Sequence, residues 1–206
     1  METAKNTIQK AKIKDSKLEV VYEEHFSEEN YSNTIEKKCA QIVHADLKKA
    51  FDRLKAHVVC ICEQPEAKQV RAQGIFDFDE EIINNYVVTG YTHGGSDESA
   101  GVTIIAQKLL KSGKVLNLIA PFTQFEDDET YEFAGELYAD IASCDHEVEQ
   151  YVFNDKFGIK QLDFDFEAPE EAFINSTDDK PKKKGRKKKE LAAEIVDAAF
   201  EEYANN

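Results

Sequence analysis

Hydrophobic and polar positions alternate first at "KLEVVYEEHF", where Leu18 to Tyr22 has the β-branched and aromatic content of a strand. Residues 1–14 before it are polar and Lys-rich and read as a flexible arm. "SEENYSNTIEKK" reads as a polar connection with some helical character. From Asp46 the period changes. Leu47, Phe51, Leu54, Val58 and Ile61 recur at steps of three and four, which predicts an amphipathic helix closed by Pro65. Four short β-rich runs follow: "QVRAQGIFDF", "NYVVTGYTH", "AGVTIIAQKLL" and "KVLNLIAPF". "GGSDESAG" and "KSGK" punctuate them, with Gly113 available for a tight turn, and consecutive strands at this spacing predict an antiparallel meander. "DDETYEFAGELYADIASCDHEVEQYVF" returns to the helical period. Leu137, Ile141, Cys144, Val148 and Tyr151 form its stripe, and Asp127, Asp128 and Glu129 sit at its expected N-terminus.

The last part of the chain divides in three. "GIKQLDFDFEAPEEAFINSTDD" is acidic with interleaved Phe, "KPKKKGRKKK" is basic, and "ELAAEIVDAAFEEYANN" carries Leu191, Ile195, Ala199 and Tyr203 every fourth residue. These patterns predict an α+β body over residues 15–170, an antiparallel sheet of about five strands with two helices packed on one face. An acidic then basic flexible linker (171–189) and an amphipathic helix (190–204) complete the organisation. An OB-like barrel is the alternative, because five strands and an intervening helix suit it. No internal repeat of useful length is legible.

Composition agrees with a globular body. The chain has 206 residues, 41% of them hydrophobic, with thirteen Phe and eight Tyr. No apolar leader region and no run near the ~18 residues of a membrane span is visible, so a soluble, cytoplasmic protein is expected. Four cysteines, irregularly spaced, suit reduced thiols better than a disulfide framework.

Charge changes the picture more. The formal net charge is −15. Residues 180–206 hold eight basic and five acidic side chains, a net of +3, which leaves −18 on residues 1–179. The basic block has Lys182, Lys183, Lys184, Arg186, Lys187, Lys188 and Lys189 around Gly185, a loose likeness to the Gly-Arg core of an AT-hook. Such a run attracts phosphate without reading sequence, although it also suits a solvated linker. Phe164 and Phe166, alternating with acids, form either an edge strand or a short segment that docks on a partner protein.

Chemistry of other kinds finds little support. Cys60 and Cys62 would point about 200° apart on a helix, so no metal or cofactor is expected. "THGGSDESAG" lacks the Lys-Ser/Thr ending of a phosphate loop. Asp77 and Asp79 read as the solvated face of a strand whose other face carries Phe76 and Phe78. No nucleophile elbow, metalloprotease or deaminase signature is present, and no enzyme is expected.

"HADLKKAFDRLKAHVVCICE", "GKVLNLIAPF" and "EVEQYVFNDKFGIKQLDFDF" resemble a group of small proteins encoded by phages and prophages of gut bacteria. The resemblance spans about residues 40–166. It implies a setting of phage replication and recombination in the host cytoplasm and transfers no site residue. Together these readings point to a non-enzymatic nucleic-acid-binding accessory protein, with single-stranded DNA the favoured ligand. The basic block would contact phosphates. Tyr86, Tyr91 and Phe76 would stack bases, with Arg71 and Lys108 nearby. The alternative is an acidic interaction or decoy module that acts on a partner protein.

Overall fold

Lys5–Lys14 forms the first strand, β1, and it becomes the centre of the sheet. A computed structural model describes residues 5–26, 31–127 and 129–159. The basic block, the Phe164 and Phe166 segment, and the 171–189 linker and 190–204 helix expected from the sequence lie outside the described residues.

The expected arm at residues 5–14 is therefore a strand. Its alternation is hidden by a bulge between Ile8 and Lys10, which changes the phase so that Ile8, Ala11 and Ile13 face one side. A two-residue turn at Asp15 and Ser16, both with positive φ, returns the chain as β2 (Lys17–Phe26). The polar connection is also a strand, β3 (Tyr31–Ile42), paired with β2 along its length. Its exposed, charged pattern is that of an edge, which carries no strong apolar period to read.

The first helix, α1 (Ala45–Ile61), forms where its period predicts. His44 caps it, with Nδ1 accepting from the Leu47 N–H at 3.2 Å. The expected strand "QVRAQGIFDF" is instead α2 (Ala67–Gln73), ended by Gly74 at φ 94°. Asp77 then lies in a turn, and Asp79 caps a short 3-10 turn (Glu80–Ile83) rather than facing out from a strand. β4 (Tyr86–Gly94), β5 (Gly101–Leu109) and β6 (Val115–Ile119) form the expected meander, and β7 (Thr123–Gln124) pairs beside β6 on the same edge of β5. The second long helix, α3 (Ala134–Phe153), begins later than its acidic stretch suggests. Tyr131 is buried in the core just before it, so the segment around Asp127 is held as a turn.

All pairings are antiparallel and the order is β3-β2-β1-β4-β5-β6. The sheet is open, with edges at β3 and at β6 and β7, so it is not an OB-like barrel. The body belongs to the α+β class. It consists of two halves, β1-β2-β3-α1 and β4-β5-β6-α3, joined at the β1–β4 seam. Leu47, Phe51 and Leu54 of α1 and Leu137, Ile141 and Val148 of α3 fill the core against Leu18, Val20, Tyr91 and Ile104 of the sheet.

Candidate nucleic-acid interface

Both long helices pack on one face of the sheet, and register assigns the residues of the other. Beside Lys10, Lys12 and Lys14 stand Val21, Glu19 and Lys17 of β2; beyond those, Glu36 and Lys38 of β3. Across the seam, Lys10 faces Thr92 and Lys12 faces Gly90. β5 and β6 continue this face with Thr103, Ile105, Gln107, Val115, Asn117 and Ile119. These side chains are half-buried or exposed, whereas the buried side chains of β1, β2, β4 and β5 lie on the opposite face.

The two halves of this face differ in chemistry. The β1–β3 half carries Lys5, Lys10, Lys12, Lys14, Lys17 and Lys38 against Glu19, Glu23 and Glu36, a net of +3 in a chain of −15. Among the described residues Lys10, Lys12, Lys14 and Lys17 join no ion pair. The β4–β6 half carries no ionisable residue on this face. Alternate residues of β1 place the lysines roughly 6.6 Å apart. Gly90 matters to this arrangement: a Cβ there would meet Ala11 O at 2.8 Å and Lys12 Cβ at 3.3 Å.

An aromatic ring completes the surface. Gly94 and Gly101 pair directly across β4 and β5. A Cβ on either would meet the Phe122 ring, at 3.0 Å from Gly94 and 2.8 Å from Gly101. Phe122 thus packs against a glycine floor and remains 46% exposed, one row from Thr92 and Thr103. The "APF" ending of the β6 run is its sequence signal, but only the glycine pairing reveals the site.

Several expected site residues lie elsewhere. Tyr86 and Tyr91 are 0% exposed and cannot stack bases. A bulge between Val88 and Gly90 turns both rings to the helix side. Their hydroxyls are satisfied there: Tyr86 donates to Glu66 at 2.8 Å and Tyr91 to Asp145 at 2.6 Å. Burial pushes the Tyr91 hydroxyl well above its ordinary range, and the Asp145 charge adds to the effect. Lys108 is also buried on that side, bonded to Glu66 at 2.9 Å and lying 4.7 Å from the Tyr86 ring centre. Arg71 is on α2, paired with Glu132 at 3.1 Å and donating to Cys60 O. Phe76 is exposed, but in the turn after α2.

Three further clusters involve α3. His57 is fully buried between Tyr131 Oη at 2.8 Å and Asp140 Oδ2 at 3.2 Å. A carboxylate can only accept, so Nε2 donates to Asp140, and with Tyr131 bonded at Nδ1 the chain staples α1 to α3. Its imidazole is sealed from solvent, which suits structure better than proton transfer to a substrate. His93 Nε2 sits 3.0 Å from Asp145. His44, Asp46 and Glu147 gather within 4.8 Å, the spacing of a metal site. The donors do not fit one. His44 Nδ1 already accepts the α1 cap, which leaves the proton on Nε2, and Lys156 bridges Glu147 at 2.7 Å and Asp46 at 2.9 Å.

Among the described residues no helix is long and apolar enough to cross a membrane. No protein-family model, curated protein or solved structure matches the chain.

Proposed function

We propose that the protein is a non-enzymatic single-stranded nucleic-acid binder that uses the face of its sheet opposite α1 and α3. The observation that carries this reading is the juxtaposition of unpaired lysines on the central strand with an exposed phenylalanine on a glycine floor. Lysines supply sequence-independent attraction for phosphates, and an aromatic face accepts any base. Thr92, Thr103 and the aliphatic side chains of β5 and β6 offer a surface that bases cover without charge repulsion. The basic block at Lys182, Lys183, Lys184, Arg186, Lys187, Lys188 and Lys189 adds phosphate contacts to the same ligand. DNA within a cytoplasmic replication or recombination complex is the favoured substrate. All four cysteines are free thiols, in keeping with a reducing compartment.

The test is a fluorescence-anisotropy titration of the full chain with labelled oligo-dT and with duplex DNA, at several salt concentrations. Lys10→Gln, Lys12→Gln and Lys14→Gln together are expected to reduce the steepness of log K against log[salt] by about 2, at roughly 0.7 per lost phosphate contact. Phe122→Ala is expected to cost about 1–3 kcal/mol with the slope unchanged. Neutralising the basic block alone flattens the slope without abolishing binding. If the intact protein ignores DNA and RNA even at low salt, the reading fails. The acidic surface, acting on a partner protein, then takes its place.

A further inference from the structure

Among the described residues the sheet has one charge-protected edge and one bare edge. β3 carries Glu36, Lys37 and Lys38 along its 12 residues, charges that discourage another strand from pairing. β6 is Val115-Leu116-Asn117-Leu118-Ile119, without a charge, and Val115, Leu116 and Ile119 are all exposed, Ile119 to 70%. Among the described residues β6 pairs with β5 alone.

Its backbone phase is determined. Ala120 N–H donates to Ile104 O and Leu110 N–H to Lys114 O. Residues 120, 118, 116 and 114 therefore direct their backbone groups at β5. Val115, Asn117 and Ile119 direct theirs outward, since antiparallel ladders alternate. The strand is also nearly palindromic about Asn117. An antiparallel copy centred there sets Asn117 opposite its equivalent, Leu116 opposite Leu118, and Val115 opposite Ile119. The outward groups of residues 115, 117 and 119 then bond each other in the register that this phase permits.

We infer that β6 is a homodimerisation strand, and that two copies join edge to edge about a two-fold axis at Asn117. A second copy is the fitting occupant because the strand complements itself in side-chain size, polarity and hydrogen-bond phase at once. A two-fold contact requires that self-complementarity. Gln107 Nε2 already donates to Asn117 Oδ1 at 3.1 Å, so the Asn117 amide retains N–H groups to donate across the axis. On the face opposite α1 and α3, Ile105 and Ile119 of one copy would continue into Val115 and Leu109 of the other. The proposal does not depend on nucleic-acid binding.

The experiment is sedimentation velocity on the full chain over a range of concentrations, with hydrogen exchange of the β6 amides. A concentration-dependent dimer is expected, with the Val115, Asn117 and Ile119 amides protected only in it. Val115→Lys and Ile119→Glu are each expected to give monomers, because each meets an apolar partner across the axis. Both sites are exposed, and unchanged circular dichroism would verify the fold. Mixing the two variants is expected to restore a dimer, since Lys at 115 of one copy then faces Glu at 119 of the other. A wild-type monomer at every concentration would overturn the proposal. So would a dimer indifferent to these substitutions. Concentration-independent protection of the three amides in a monomer would overturn it too, by showing that the chain covers its own edge.

Discussion

Ser16 sits at φ 58° beside Asp15 at φ 50°, in the turn that joins β1 to β2. Left-handed backbone is costly for a side chain, and Asp tolerates it better than Ser. Ser16→Gly is expected to stabilise the protein by about 0.5–1 kcal/mol, once the added freedom of the unfolded chain is subtracted. Denaturant midpoints would show it as a shift without a change in slope. Glu66 makes a pH-dependent contribution. Partial burial disfavours its charge, but bonds from Lys108, Tyr86 and its own backbone outweigh that and hold its pKa below the usual value. Such a carboxylate stabilises the fold above its unfolded pKa and loses that contribution as pH falls through its folded pKa. Glu66→Gln is therefore expected to lower stability at neutral pH, with the gap to wild type closing below about pH 4. Unfolding curves of both proteins across that range would check the sign.

At the scale of elements, the β1–β4 seam is the narrowest joint along the β3-β2-β1-β4-β5-β6 path. Three residue pairs join the two parts of the sheet there, and one is Lys12 with Gly90. A methyl at Gly90 meets the Ala11 carbonyl oxygen and the Lys12 backbone, which cannot swing aside as a side-chain end can. Gly90→Ala is expected to cost about 1–3 kcal/mol and to speed amide exchange in β1 and β4 before α1 and α3. The same seam explains what was legible in the sequence. α1, α3 and β5 were readable because each keeps one period over its length, and β4 and β6 because of their β-rich content. β1 was not, because its bulge places Ile8 and Ala11 on one face and breaks the period of two. The β4 bulge likewise hides Tyr86 and Tyr91, which strict alternation would put on opposite faces. Aromatic content in a strand signalled a stacking surface, but a buried ring with a bonded hydroxyl gives the same signal. Tyr86, Tyr91, Lys108, Arg71 and Phe76 all lie off the face opposite α1 and α3, and the basic block lies outside the described residues. Phe122 escaped because its meaning comes from two glycines that lie on different strands.

For the whole molecule, the distribution of charge sets how a polyanion would be received. The lysine half of the open face is net +3, yet the chain is −15, so the remainder is far more acidic than the average. α3 bears part of it, with Glu136, Asp140, Asp145, Glu147 and Glu149 and no Lys or Arg, and the turns around residues 77–81 and 126–132 bear more, whereas α1 and α2 each carry a small positive excess. Stacked layers lie about 10 Å apart. At 0.1 M salt the Debye length is also about 10 Å, so a phosphate on the open face interacts with nearby lysines while most acids are screened. At about 0.01 M the length grows to roughly 30 Å and the whole molecule comes into range. Counterion release alone predicts a straight rise in log K as salt is lowered. Here the rise is expected to bend over at low ionic strength, and the association rate to stop increasing there, because long-range repulsion then opposes the local attraction. Stopped-flow binding of oligo-dT over this salt range would measure it. A strictly linear plot down to the lowest salt would mean that the ligand never senses the acids of the body, and would move the contact from the sheet to the basic block.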